Sequence, residues 1–131
     1  MARPGSEHPT ELELQILKVL WQKAPARVRE IRAELAQRGR DLAHTSVITT
    51  LNIMVRKRYL KRTREANAFR FEPIVTRESV SRSILGDVVK RVFDGSAKNV
   101  LLALFDASEV NADELQEIRR YINRKARKES P

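Results

Sequence analysis

The hydrophobic residues of the chain recur at helical spacing from residue 10 onward. Residues 10–23 are apolar on all but a narrow polar arc, which predicts a helix that is covered on most sides. Thr10 and Glu13 have the spacing of a capping box at the start of this helix, and Pro25 ends it. A second helix, which ends at Gly39, is predicted from a single apolar stripe of Val28, Ile31 and Leu35.

The stretch HTSVITTLN, residues 44–52, is ambiguous by itself because Val, Ile and Thr also favour strands. The adjacent pair Val47 and Ile48 breaks the alternation of a half-buried strand. At helical spacing the apolar residues share one face, which comprises Val47, Ile48, Leu51, Met54 and Val55. We therefore predict a third helix over residues 44–58, whose opposite face carries Thr45, Thr49, Asn52 and Arg56.

The segment KRTREANAFRFEP predicts a β-hairpin that turns at Ala66 and Asn67 and ends at Pro73. Three more helices follow, with start signals at Thr76, Ser96 and Asn111. The predicted fold is mainly α with a small β wing. It comprises a flexible arm over residues 1–9, a winged helix-turn-helix domain over 10–75 and a three-helix domain over 76–128.

The charge of the chain is strongly positive, with 26 Lys and Arg against 17 Asp and Glu, a formal net charge of +9. The excess lies in the N-terminal half, which holds 15 basic and 8 acidic residues through Val75 against 11 and 9 afterwards. Such a balance points to a polyanionic partner. The sequence has no cysteine, no signal peptide pattern and no apolar run long enough for a membrane span, so we expect a cytoplasmic protein without membrane insertion.

Three helices followed by a hairpin are the order of a winged helix-turn-helix, whose third helix enters the major groove of DNA. Short polar side chains near the start of that helix allow close approach to base edges, where a Thr hydroxyl donates or accepts and its methyl contacts thymine. The predicted base contacts are Thr45, Ser46, Thr49 and Ile53. The alternative, that the hydroxyls only cap and solvate the helix, stays open.

A dense run of positive charge lies at the end of the same helix and continues into the hairpin, with six basic residues in nine positions. A charge run is usually a solvated face, but the position of this one beside the candidate reading helix favours contact with phosphates. The predicted phosphate contacts are His44, Arg56, Lys57, Arg58, Lys61, Arg62 and Arg64.

Catalysis and metal binding have little support in the sequence. His8 and His44 are the only histidines, and neither has a carboxylate pair or a second histidine near it. We therefore predict no catalytic residue, no metal and no cofactor, and we expect Trp21 to belong to the core.

The C-terminal half carries more apolar surface than three short helices bury among themselves, and VLLALF, residues 100–105, is apolar all around. This pattern fits either a helical core within one chain or the interface of a homodimer, and we favour the dimer because two-fold pairing doubles a short DNA contact. The predicted dimerisation residues are Ile84, Val88, Val92, Val100, Leu101, Leu104, Phe105, Leu115, Ile118 and Ile122.

Three segments carry a family pattern: ELELQILKVLWQKAPARVREIRAELA, HTSVITTLNIMVRKRYL and the hairpin end FRFEP. Over residues 10–128 the chain resembles the penicillinase and methicillin-resistance repressor family, of the BlaI/MecI/CopY type. The combination of LxxLW, VREI, a Thr-rich third helix and a Phe-x-Phe-x-Pro wing is specific, whereas each motif alone is weak.

The resemblance implies a cytoplasmic transcriptional repressor that binds a pseudo-palindromic operator in double-stranded DNA as a homodimer. In the resistance members a membrane-bound sensor protease detects the antibiotic, and cleavage in the dimerisation domain releases the DNA. The copper-responsive members use a C-terminal cysteine motif, which this chain lacks. Ala103-Leu104 stands where the resistance repressors have their cleaved Asn-Phe bond, and Lys57-Arg58 stands where the family often has Lys-Gly.

Two other functions compete with the repressor. One is a protein-interaction adaptor that uses a winged helix without reading DNA, against which the charge asymmetry argues. The other is an enzyme acting on nucleic acid, which the lack of clustered carboxylates or paired histidines disfavours. Ile53, at a position of the reading face where the family commonly has Arg, together with the wing tip Ala66-Asn67, suggests a different operator or a different signal.

Overall fold

The structure, a computed structural model, describes residues 8–129, so most of the predicted N-terminal arm lies outside the described residues. The described part contains six helices and one two-stranded antiparallel sheet, which confirms the predicted fold class of a winged helix followed by C-terminal helices. The elements are α1 (Glu11–Lys23), α2 (Val28–Gln37), α3 (His44–Arg56), β1 (Leu60–Glu65), β2 (Ala68–Pro73), α4 (Arg77–Phe93), α5 (Ala97–Ala107) and α6 (Ala112–Glu129).

The chain forms two compact units, of which the first ends at Gly86 and the second begins at Asp87. The first unit therefore contains α1, α2, α3, both strands and the first half of α4. The predicted domain boundary after residue 75 lies in the loop before α4, whereas the two compact units divide within α4, after Gly86.

The core of the first unit lies where α1, α2 and α3 meet the inner face of the hairpin. Removing large aliphatic and aromatic side chains from water contributes about 1.5–3 kcal/mol each, so this cluster is the main source of its stability. The buried apolar residues are Ile16, Leu17, Val19, Leu20, Ala26, Ile31, Leu35, Val47, Leu51, Met54, Leu60, Phe71 and Val80.

The predicted helix signals are satisfied at the start of α1 and of α5. Thr10 accepts a hydrogen bond from the Glu13 amide at 3.2 Å, and the Glu13 carboxylate accepts one from the Thr10 amide at 2.8 Å, which completes the capping box. Ser96 accepts a hydrogen bond from the Asn99 amide at 3.1 Å. These contacts pair amide groups that a helix start leaves without backbone partners.

Helix α3 ends at Arg56, two residues before the predicted end. Arg58 has a φ of 66°, in the left-handed region that terminates helices and favours glycine. The Tyr59 amide then donates back to the Met54 carbonyl at 2.9 Å, which closes the last turn. An arginine therefore occupies a position where glycine would have the least backbone strain.

The wing is a tight antiparallel hairpin with Arg64 opposite Phe69 and Arg62 opposite Phe71. Its turn is made by residues 66 and 67, as predicted, with a φ of 56° at Ala66. On the other side of β2, Ala26 and Phe71 exchange backbone hydrogen bonds of 2.8 and 3.1 Å. The wing is thus fastened to the loop between α1 and α2.

The second unit has no buried residue among those that the structure describes. Its helices begin where the sequence predicts, and Asn111 accepts a hydrogen bond from the Glu114 amide at 2.8 Å at the start of α6. Large apolar side chains remain exposed along this unit: Val88, Val92, Leu101, Leu102, Leu104, Phe105, Leu115, Tyr121 and Ile122. A single copy therefore leaves the hydrophobic faces of these helices uncovered.

Candidate nucleic-acid interface

The outward face of α3 is polar and accessible near its N-terminal end. Thr45, Ser46 and Thr49 are exposed, whereas the hydroxyl of half-buried Thr50 donates to the Ser46 carbonyl at 2.9 Å. Ile53 is half-buried and lies outside the hydrophobic core. Three hydroxyl side chains of this helix are therefore presented to solvent, where they are available for contact with base edges.

The N-terminus of α3 is also accessible. Ala43 is its N-cap and provides no side-chain acceptor for the first amide groups, and the side chain of His44 in the first turn is exposed. Unpaired amides together with the helix dipole favour a negatively charged group at such an end.

Asn52 and Arg62 join the outward face of α3 to the wing. Arg62 Nη1 donates to Asn52 Oδ1 at 2.9 Å. The Arg62 guanidinium carbon lies 4.7 Å from the centre of the Phe69 ring, and that of Arg64 lies 5.6 Å from the same ring. Two guanidinium groups therefore flank one aromatic ring on the side of the wing that adjoins α3.

The opposite face of the wing differs in charge, because side chains alternate between the two faces of a strand. Lys61 forms an ion pair with Glu72 at 3.0 Å, and Arg70 forms one with Glu65 at 2.7 Å. Each of these basic groups on this face has a carboxylate partner. The positive charge of the hairpin is thus concentrated on the face of Arg62 and Arg64.

Lys57 is half-buried and forms an ion pair with a partner that sequence reasoning missed. Its Nζ atom lies 2.9 and 3.2 Å from the two carboxylate oxygens of Glu13, whose residue is only 3% exposed. Burial, and to a smaller extent the negative charge of Glu13, raises the pKa of the neighbouring Tyr59. The predicted role of Lys57 as a phosphate contact stays a prediction, and in this structure its ammonium is engaged by Glu13.

Arg56 and Arg58 are exposed at the C-terminal end of α3. Within residues 8–129 neither forms an ion pair with a carboxylate. Their charges are therefore not neutralised by the described part of the chain.

Two further basic residues, which sequence reasoning missed, lie at the start of α2. Arg27 and Arg29 line a groove together with His44 and Phe69, and they line a second one with Arg70. Acidic side chains normally favour the start of a helix because of its dipole. Two arginines at the start of a helix, in the segment ARVRE, therefore indicate an anionic partner, and this pattern is visible in the sequence.

The predicted dimerisation residues fall into three groups. Ile84 is half-buried against the core of the first unit, so it does not belong to the exposed surface of the second. Val100 and Ile118 are half-buried within the second unit, and the other predicted residues are exposed. On α5 and α6, a largely apolar groove is lined by Leu101, Ile118, Tyr121, Ile122, Lys125, Ala126 and Glu129.

Other kinds of site find little support in the part of the chain that the structure describes. No group of three or more His, Asp or Glu side chains in residues 8–129 is arranged to hold a metal ion. None of the helices in this range combines the length and the apolar character that crossing a membrane requires.

Comparison with known proteins agrees with this geometry. The family described as Penicillinase repressor matches residues 9–124. The transcriptional regulator BlaI of Mycobacterium tuberculosis is 30% identical over 113 residues, covering 86% of this chain and 80% of that protein. The methicillin resistance regulatory protein MecI of Mammaliicoccus sciuri is 20% identical over 113 residues, covering 86% and 91%.

A solved structure also shares the fold. A chain from the complex structure of hsRosR-S4 superposes with a TM-score of 0.50 and 17% identity, covering 92% of both chains. The family match extends over the whole winged helix and most of the C-terminal helices, and its members are transcriptional repressors rather than enzymes. The chain belongs to the penicillinase repressor family.

Proposed function

We propose that the protein is a sequence-specific DNA-binding transcriptional repressor that acts as a homodimer on a pseudo-palindromic operator. The observation that carries the proposal is the exposed hydroxyl face of α3 beside the arginine-bearing face of the wing. In this proposal α3 enters the major groove, and Thr45, Ser46, Thr49 and Ile53 lie against the bases. Repression follows from occlusion of RNA polymerase.

The phosphate contacts of the proposal are the basic groups around α3 that have no carboxylate partner among the described residues, which leaves out the predicted Lys57 and Lys61 because they pair with Glu13 and Glu72. Arg56 is the last residue of α3, Arg58 lies just beyond it, and Arg62 and Arg64 lie on the wing. His44, at its start, is the fifth group. Arg27 and Arg29, at the start of α2, extend the same positive surface.

A binding assay with two variants tests whether α3 reads bases. Thr49→Ala is expected to weaken binding to the operator by about 1–3 kcal/mol and to leave binding to unrelated DNA nearly unchanged. Arg64→Ala is expected to weaken binding to both and to flatten the salt dependence. Equal loss on both DNAs for Thr49→Ala would refute base reading by this residue. A footprint upstream of the gene supplies the operator.

The homodimer rests on the uncovered apolar side chains of the second unit. Exposed contiguous apolar surface of this kind marks an interaction site in soluble proteins. Sizing of the protein in solution at micromolar concentration is expected to give a dimer, and Leu104→Asp, on α5, is expected to give a monomer. Asn99→Asp places the same charge on a polar position of α5 and is expected to leave the dimer intact. A monomeric wild-type protein would refute this part of the proposal.

Release of the DNA is assigned to a signal that acts on the C-terminal unit, with a sensor protease as the partner that the family resemblance suggests. Ala103 and Leu104 lie inside α5, where the peptide bond is helical. Proteases cut accessible, locally unfolded segments. Cleavage there requires prior opening of α5, and incubation with the sensor protease followed by mass measurement tests it.

A further inference from the structure

The hydrogen bond between Asn52 and Arg62 fixes the orientation of an amide on the reading face of α3. Asn52 follows Thr45 by seven positions and Thr49 by three, so the three side chains share one helix face. A guanidinium group carries only donors, so the amide oxygen must point at Arg62 and the amide nitrogen must point away. The observed distance from Nη1 to Oδ1, 2.9 Å, is that of a good hydrogen bond.

The position of Arg62 is itself restrained by the wing. Its guanidinium carbon lies 4.7 Å from the centre of the Phe69 ring, and β1 and β2 are paired through this region. A contact between an arginine and an aromatic face adds attraction beyond the area that it buries. Asn52 therefore meets a donor that is held in place and does not have to be ordered when a ligand binds.

The chemistry of the amide then decides what Asn52 reads. An asparagine with both groups free pairs with adenine, because its oxygen accepts from the N6 amino group while its nitrogen donates to N7. With the oxygen held on the side of Arg62, the amide turns its NH2 group, with two N–H donors, away from the wing. Guanine presents two acceptors, N7 and O6, to these donors at the major-groove edge, whereas thymine presents one, O4, and the amino group of adenine needs the oxygen, which points at Arg62.

We infer that Asn52 reads a guanine in each half-site and that Arg62 is the positioning residue that turns Asn52 from an adenine reader into a guanine reader. This inference rests on the proposed function, because it requires α3 to lie in the major groove. It assigns a specificity role to Asn52 and adds a second role to Arg62, whose remaining donors stay available for phosphate.

The test is a binding panel with the full-length protein. A duplex selected from random sequence by the wild-type protein serves as the reference, and every position is changed to each of the other three base pairs. The base pair read by Asn52 is the one whose preference disappears in Asn52→Ala. In the wild-type protein that pair is expected to be G·C. In Arg62→Met the affinity for A·T relative to G·C at that pair is expected to rise by about tenfold.

Two matched variants separate positioning from charge. Arg64→Met removes the same charge from the same strand and the same Phe69 ring, but it leaves the bond between Arg62 and Asn52 intact. It is expected to lower affinity for all duplexes without changing the base preference. Arg62→Lys is expected to keep the preference for G·C, because a lysine ammonium also carries only donors.

Each other outcome overturns the inference. A preference for A·T at the Asn52 pair in the wild-type protein contradicts the assignment of guanine, and an unchanged preference in Arg62→Met removes the positioning role. An Asn52→Ala variant that keeps every preference removes Asn52 from the reading face. A wild-type protein that selects no sequence overturns the proposed function as well. In that case Thr49→Ala also weakens binding to all DNA sequences equally, which distinguishes this outcome from a failure of the Asn52 inference alone.

Discussion

Among the polar contacts of the winged helix, the ion pair between Glu13 and Lys57 is the one that we expect to matter most for stability. It joins the first turn of α1 to the residue after α3, 44 positions away in the chain. The substitution Glu13→Gln keeps the shape of the side chain and an oxygen for the Thr10 amide, so the helix cap survives. It removes the negative charge that faces the Lys57 ammonium.

The magnitude follows from burial. Hydrogen bonds to a charged group contribute about 1.5–3 kcal/mol, and removing one partner of a fully buried ion pair costs about 3–5 kcal/mol. Glu13 is 3% exposed, but the Lys57 side chain is 28% exposed and recovers part of its hydration when the pair is broken. We therefore expect Glu13→Gln to lower the free energy of unfolding by about 1–3 kcal/mol.

This effect is measured by urea unfolding of the full chain, followed by circular dichroism. The protomer concentration is held constant because dimerisation shifts the apparent stability. Glu11→Gln is the control. That side chain lies in the same turn, but it is 83% exposed, and its nearest charged partner is weakly placed, with 3.7 Å between Glu11 Oε1 and Arg40 Nη1. The control is expected to change stability by less than about 0.5 kcal/mol. If Glu13→Gln changed stability as little as Glu11→Gln does, the ion pair would contribute nothing. The same would follow if the effects of Glu13→Gln and Lys57→Met simply added in the double variant.

Three other substitutions test the local geometry. Arg58→Gly and Ala66→Gly are each expected to raise the free energy of unfolding by about 1 kcal/mol, because both residues have a positive φ; denaturant midpoints check this, and a decrease would contradict it. The hydrogen bond from Lys23, opposed by partial burial and helped by the charges of Lys23 and Arg38, holds the pKa of Glu34 below its ordinary value. The resulting stabilisation is present above the unfolded pKa and is lost as the pH falls through the folded one, and an NMR titration of Lys23→Gln that left the pKa of Glu34 unchanged would contradict this cause.

The helices and the hairpin were predictable from the sequence because their determinants are local. The apolar spacing of residues 44–55 identifies a helix and its buried face, and Thr10 and Ser96 identify helix starts without any tertiary information. The end of α3 was placed two residues late because the left-handed φ of Arg58 has no signal in an arginine. The family pattern, which often has glycine there, was the only available hint.

The partners within the candidate interface were not predictable, because they connect elements whose relative placement the sequence does not encode locally. Helical spacing puts Asn52 on the outward face of α3, but only the folded hairpin brings Arg62 within hydrogen-bond distance of it. The same holds for Glu13, which reads as a capping residue alone and also serves as the counter-ion of Lys57. The local pattern of each side chain explains its first role, and only the fold reveals the second.

The six basic residues at the end of α3 and on the wing separate into those with and those without a carboxylate partner, and this separation makes a final prediction. Lys61 lies on the face of β1 that carries Glu72, whereas Arg64 lies on the face that adjoins Asn52 and α3. Each phosphate contact adds close to 0.9 to the slope of log K against log salt. Arg64→Met is therefore expected to reduce the slope per protomer by about 0.9 in DNA binding measured between low and physiological salt, and Lys61→Met is expected to leave it unchanged. Equal reductions for both would mean that charge density alone, and not the face of the strand, determines which basic groups touch the phosphates.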